Sequence, residues 1–204
     1  MKTKTKALLS LTCAVILVLA TVCATVAFLT STTGTVMNTF TVGNVKITMD
    51  EIAVDVYGEV TTNTDQVTAR VNENAYKLIP GHEYTKDPTI HVDEASENCY
   101  LFVRVTNAIA EIEADTKIAD QMQAKGWTPV TGTDGVYYYS QVAEGGDDVV
   151  VFDNFTITDD ANLTDYAGTA IEITGYAVQA DGFADAEAAW NASFGAATTA
   201  AVGA

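Results

Sequence analysis

Apolar and polar positions alternate with a period of two over several short stretches of this chain, the signature of half-buried strands. Val45, Ile47 and Met49 lie on one face of such a stretch and Lys46 and Thr48 on the other. Ile52, Val54 and Val56 repeat the pattern, so strands are expected over 45–49 and 52–57. Residues 84–92 read as a strand interrupted by Pro88, which points to an edge or a bulge. Residues 100–105 are the most hydrophobic stretch beyond the N-terminus and predict a central strand. Further strands are expected over 136–142, 149–157 and 170–180. The turn signals Pro80-Gly81 and Gly145-Gly146 fall between the predicted elements.

Two segments follow a helical period instead. Over 111–125, Ile112, Ala119 and Met122 recur at helical spacing. Glu113 and Asp115 lie near the start, Lys125 lies near the end, and Gly126 follows as a stop. Over 181–194, Ala186, Ala189, Trp190 and Phe194 share one face. Seven or eight short strands punctuated by turns, with one or two inserted or peripheral helices, predict a mainly β chain folded as a jelly-roll-like antiparallel β-sandwich. The sandwich is assigned to 44–195 and a flexible tail to 196–204.

The N-terminus follows neither pattern. Lys2, Lys4 and Lys6 precede an apolar run over 7–22, and no charged residue occurs from Ala7 to Val45. Thr25-Val26-Ala27 has the small-x-small form of a cleavage site, placing a cut between Ala27 and Phe28. Residues 1–27 are therefore expected to form a signal helix. The competing reading is a retained anchor, because the run approaches the ~20 residues that span a bilayer. On either reading the membrane is reached only through this uncleaved segment.

Charge and cysteine usage narrow the class. The chain of 204 residues carries 10 Lys+Arg against 27 Asp+Glu, a net charge of −17. The cut removes three lysines and no acid, so −17 becomes −20. Such a surface repels nucleic acid and anionic lipid. Two of the three cysteines, Cys13 and Cys23, leave with the signal segment, and Cys99 remains in an apolar strand as a buried small hydrophobe. An exported domain without a disulfide must be held by its core, by ions or by neighbours.

No pattern of catalytic residues stands out. His82 and His91 are the only histidines, lack the His-Glu-x-x-His spacing, and are the weak metal candidates if their strands pair. Ser96, Ser140 and Ser193 lack the glycine-flanked elbow of a nucleophilic serine. Three acidic clusters, Asp93-Glu94-Glu97, Glu144-Asp147-Asp148 and Asp159-Asp160-Asp165, read either as solvated loops or as calcium sites. No catalytic residue and no other cofactor is assigned.

The run Ala24-Thr25-Val26-Ala27-Phe28-Leu29-Thr30, followed by Thr39-Phe40-Thr41-Val42-Gly43-Asn44-Val45-Lys46-Ile47, resembles the start of the TasA/camelysin family. Leu78-Ile79-Pro80-Gly81, Thr89-Ile90-His91-Val92 and Cys99-Tyr100-Leu101-Phe102-Val103-Arg104-Val105 resemble its Pro-Gly turn and central strands. The stretch from Ile173 to Phe183, with Ala188-Ala189-Trp190 after it, resembles its closing strand and helix. The resemblance implies export from a Gram-positive bacterium through a signal peptidase of SipW type. It also implies a jelly-roll domain at the cell surface or in the biofilm matrix, and a homopolymer built by donor-strand exchange. The donor would be the uncharged segment 28–43, with Phe28, Leu29, Val36, Met37, Phe40 and Val42 as its apolar residues. Its β-branched residues and lack of proline suit it to an open sheet edge, its own or a neighbour's. Camelysin-type members imply an alternative, a surface metalloendopeptidase, although no zinc-protease motif is present. A third reading is a monomeric adhesin using Tyr137, Tyr138 and Tyr139.

Overall fold

A computed structural model describes residues 30–32, 44–61, 69–114 and 116–195. The expected signal helix, the cut at Ala27 and Phe28, and the candidate donor residues Leu29, Val36, Met37, Phe40 and Val42 lie outside the described residues, as does the tail. What is described is mainly β, with antiparallel sheets and two helices.

The strands are β1 (Thr30–Thr32), β2 (Ile47–Ile52), β3 (Arg70–Val71), β4 (Glu83–Thr85), β5 (Thr89–Val92) and β6 (Cys99–Asn107). After helix α1 (Ile118–Ala124) come β7 (Trp127–Pro129), β8 (Val136–Tyr139), β9 (Asp148–Val150), β10 (Asn154–Thr156) and β11 (Ile171–Gln179), then helix α2 (Ala186–Ser193). A five-stranded sheet runs β1-β11-β6-β8-β7, a four-stranded sheet runs β3-β2-β5-β9, and β10 pairs with β4. The strand predicted to be central, β6, has β11 on one side along its whole length and β8 on the other.

Period-two alternation decides what each face of the five-stranded sheet buries. Cys99, Leu101 and Val103 of β6 and Ile173 and Ala177 of β11 join Ile47, Ile90, Val92 and Val149 from the four-stranded sheet in the main core. The intervening Phe102 and Val178 point the other way, into a second cluster closed by Ala186, Ala189 and Trp190 of α2. Asp185 caps α2, its carboxylate accepting the Ala188 N–H at 2.7 Å.

Four expectations need correction. The strand expected over 52–57 ends at Ile52, because Asp55 accepts the N–H groups of Tyr57 and Glu59 and bends the chain so that Val54 bridges Val60. Gly58 completes that turn at φ +81°, where a Cβ would meet Tyr84 Cα at 2.8 Å. Residues 84–92 are two strands in different sheets, not one interrupted strand. Pro88 marks the crossing, and β5 is internal, between β2 and β9. Residues 149–157 likewise divide into β9 and β10, and Gln121 fills the break by bonding Asp153 N, Asn154 N and Asn154 O. The helix expected over 111–125 covers only Ile118–Ala124. Before it, Glu113 bridges Ile157, and its buried carboxylate accepts the Ile118 N–H at 3.2 Å, starting α1 late. Gly126, at φ +91°, ends α1 where expected.

Candidate functional site

β1 contributes Thr30, Ser31 and Thr32, opposite Val178, Ala177 and Tyr176 at one edge of the five-stranded sheet. β11 has nine residues, all matched on their other side by β6. On the β1 side, Ile171, Glu172, Ile173 and Thr174 have no ladder partner among the described residues. The candidate assembly edge is thus the rim of a long, well-anchored strand on which Thr30–Thr32 of the uncharged N-terminal segment are the described partner.

The two histidines belong to separate networks, because the strands near them enter different sheets. His82 precedes β4 and its Nε2 lies 2.8 Å from the Tyr57 carbonyl, with its ring edge-on to Tyr84. His91, in β5, lies between two carboxylates: Nδ1 is 2.6 Å from Asp148 Oδ1 and Nε2 is 2.8 Å from Asp50 Oδ1. Arg70 of β3 pairs with Asp50 and, at 3.0 Å, with Asp87. A line of alternating charge therefore crosses β9, β5, β2 and β3. Burial pushes the His91 imidazole down, but the two carboxylates outweigh it and leave it above its ordinary value. With both ring nitrogens engaged, His91 has no lone pair turned toward a metal shared with His82. Among the described residues no three His, Cys, Asp or Glu side chains are grouped to hold a metal ion.

The acidic loops are partly committed to their own turns. Asp93 receives Lys46 Nζ at 2.5 Å and the Ala95 N–H at 3.1 Å, contacts that hold its carboxyl below the usual range. Asp147 accepts the Glu144 N–H at 2.9 Å, and Asp148 is the partner of His91. Tyr137, Tyr138 and Tyr139 are all half-buried; Tyr137 and Tyr139 pack on the main core and Tyr138 on the second cluster. The motive for an aromatic adhesive strand is weakened by that burial.

A cluster that the sequence reading did not single out lies on the wall of a cavity of about 450 Å³, lined by Asn74, Tyr76, Leu78, Lys86, Ile109 and Phe155 among others. Glu51 of β2 and Lys86, the residue after β4, are buried charged residues. Their side chains keep only 5% and 9% of their exposure, and Lys86 Nζ lies 2.5 Å from Glu51 Oε2. The other carboxylate oxygen, Oε1, accepts Asn74 Nδ2 at 3.0 Å. Asn74 is fixed further: Nδ2 donates to the Ile52 carbonyl at 2.8 Å, and Oδ1 accepts the Val54 N–H at 3.0 Å. Tyr76 places its ring centroid 6.0 Å from Lys86 Nζ. Its hydroxyl is pushed up, first by burial and then by the Glu51 charge. The three residues are 35 or fewer positions apart but come from separate segments, so no local spacing announces them. The one sequence signal was Lys86 itself, a lysine inside a predicted strand.

No protein-family model, curated protein or solved structure matches the chain.

Proposed function

We propose that this chain is a secreted structural protein of the cell surface or biofilm matrix that assembles into fibres by donating its N-terminal strand to the next copy. The observation that carries the reading is the β11 edge, where Thr30–Thr32, from a segment free of charge between Ala7 and Val45, pairs antiparallel with Tyr176–Val178 of a nine-residue strand. An edge presents unpaired backbone groups to any chain of matching chemistry. Exchange of an identical strand between copies keeps the contacts of the closed form, so it costs little per subunit. Donation in this reading places the same uncharged segment along the β11 edge of the next copy, in the antiparallel register that Thr30–Thr32 takes against Tyr176–Val178.

Within the same proposal, the five-stranded and four-stranded sheets are the layers of a jelly-roll-like sandwich, and the cut between Ala27 and Phe28 by a peptidase of SipW type frees the donor. The partner is then a second copy of the chain, and no enzyme chemistry is required. The test is deletion of 28–43 from the processed chain. Intact chain should sediment as polymers whose size grows with concentration, and the truncated chain should remain monomeric and accept an added 28–43 peptide. Monomers from the intact chain at every concentration and pH would overturn the proposal.

A further inference from the structure

We propose that Lys86 and Asn74 become joined by an intramolecular amide bond between Lys86 Nζ and Asn74 Cγ, formed within the folded chain with Glu51 as the proton carrier. The nucleophile, the electrophile and the acid–base group that such a bond needs are bound to one another. One carboxylate contacts both reactants, Lys86 through Oε2 and Asn74 through Oε1, and so holds amine and carboxamide side by side. The Asn74 carbonyl oxygen accepts the Val54 N–H at 3.0 Å, which is the position of a donor that stabilises negative charge developing on that oxygen. The Ile52 carbonyl orients the carboxamide nitrogen.

The environment supplies the rest. Glu51 and Lys86 are nearly dry, and Tyr76 and Phe155 stand on the same cavity wall. Burial strips both groups of the water that would otherwise compete for their contact with each other and with Asn74. A buried ion pair is also weak evidence for stability on its own, which leaves the convergence of these three groups needing another account.

The step balances without any co-reactant. Glu51 Oε2 takes one proton from the Lys86 ammonium, and the freed Nζ lone pair attacks Asn74 Cγ. The new C–N bond forms as the carbonyl electrons move onto Oδ1, facing the Val54 N–H. The carbonyl then re-forms, the Cγ–Nδ2 bond breaks, and Nδ2 leaves with its own two hydrogens and one from Lys86 as ammonia. Of the three ammonium protons, one stays on the new amide, one leaves on ammonia, and one ends on Glu51. Nothing is oxidised or reduced. The product ties the segment after β3 to the residue after β4, beside β2, in a domain whose one described cysteine is free and buried. The inference does not depend on how the N-terminal segment pairs.

The test is the intact mass of the purified full chain, followed by a tryptic map. The expected mass is lower than the sequence mass by one ammonia. Trypsin should pass over the acylated Lys86, giving a branched species in which 71–77 is joined to 78–104. Glu51→Gln should restore the ammonia and release the two segments as separate linear peptides, with cleavage at Lys86. The unsubstituted chain decides the matter even if that variant folds poorly. A full chain at its unmodified mass would overturn the proposal. So would an ammonia loss confined to a linear peptide containing Asn74, the mark of asparagine cyclising on its own backbone.

Discussion

Truncation of Trp190 to alanine probes how α2 is held to the five-stranded sheet. The Trp190 side chain is 2% exposed, and its ring centroid lies 4.7 Å from Phe194, 5.2 Å from Phe102 and 5.5 Å from Tyr176. A buried aromatic hides about 150–250 Å². At about 25 cal/mol per Å² its transfer term is roughly 4–6 kcal/mol. Alanine keeps part of that burial, which agrees with the ~3–5 kcal/mol typical of Trp→Ala changes in cores. One term opposes the loss. The indole Nε1–H is buried with no hydrogen-bond acceptor among the described residues, and removing an unsatisfied donor returns about 1–3 kcal/mol. The net expectation for Trp190→Ala is a loss of about 0–4 kcal/mol, centred near 2, from about 5–15 kcal/mol for a whole domain. Trp190→Phe keeps an aromatic ring at the site and removes the orphan donor, so it should cost about 1 kcal/mol or less. Urea unfolding followed by fluorescence and circular dichroism, with m-values compared, measures both. Equal losses for the two variants would refute the packing of α2 by the aromatic ring, and a Trp190→Phe loss well above about 1 kcal/mol would refute the argument from the orphan N–H.

Three further predictions concern titratable groups. Burial is the largest influence on Glu113 and pushes its carboxyl up, against the opposing Ile118 N–H and Asn107 contacts. Stability should therefore fall as pH rises from the unfolded carboxyl range through the raised folded value. Glu113→Gln should match the parent near pH 4 and exceed it near pH 7 in urea midpoint, and a variant weaker at neutral pH would contradict this. His91 has the opposite sign for its charge. Its raised folded value makes the Asp148–His91–Asp50 contact fully stabilising below the ordinary imidazole value of about 6.5 and lost as pH rises through the higher folded value. The difference in urea midpoint between parent and His91→Gln should accordingly shrink between mildly acidic and alkaline pH, and a constant difference would contradict it. Cys99 is fully buried, which pushes its thiol up to about 12. A thiol reagent should leave it untouched in the native chain and label it on unfolding; fast native labelling would contradict the buried assignment.

Much of the fold was legible in the sequence where one residue's environment repeats every second position. β6 and β11 are long, alternate cleanly, and occur close to where the pattern put them, and the stripe of Ala186, Ala189 and Trp190 predicted the face that α2 buries. The misreadings share a physical cause. In 84–92 and 149–157 the alternation continues through a change of sheet, because period-two burial is local while the choice of partner strand is not. In 111–125 a buried carboxylate, Glu113, holds the chain in a bridge and displaces the helix start by several residues. The candidate sites divide in the same way. The uncharged segment that feeds the β11 edge is visible as composition. The Glu51–Lys86–Asn74 cluster is assembled only when β2, the segment after β3 and the end of β4 meet, so no spacing along the chain could mark it.

The claim that strands pass between copies is tested most directly by register. Ser31 of β1 lies opposite Ala177 of β11, and antiparallel partners sit at Cα separations that a disulfide can bridge. One chain carrying Ser31→Cys and another carrying Ala177→Cys, both with Cys99→Ala, would be processed, mixed and oxidised. The account predicts covalent pairs containing one copy of each chain, formed only in the mixture. Absence of such pairs, together with complete closure within single chains of the Ser31→Cys, Ala177→Cys double variant, would contradict it.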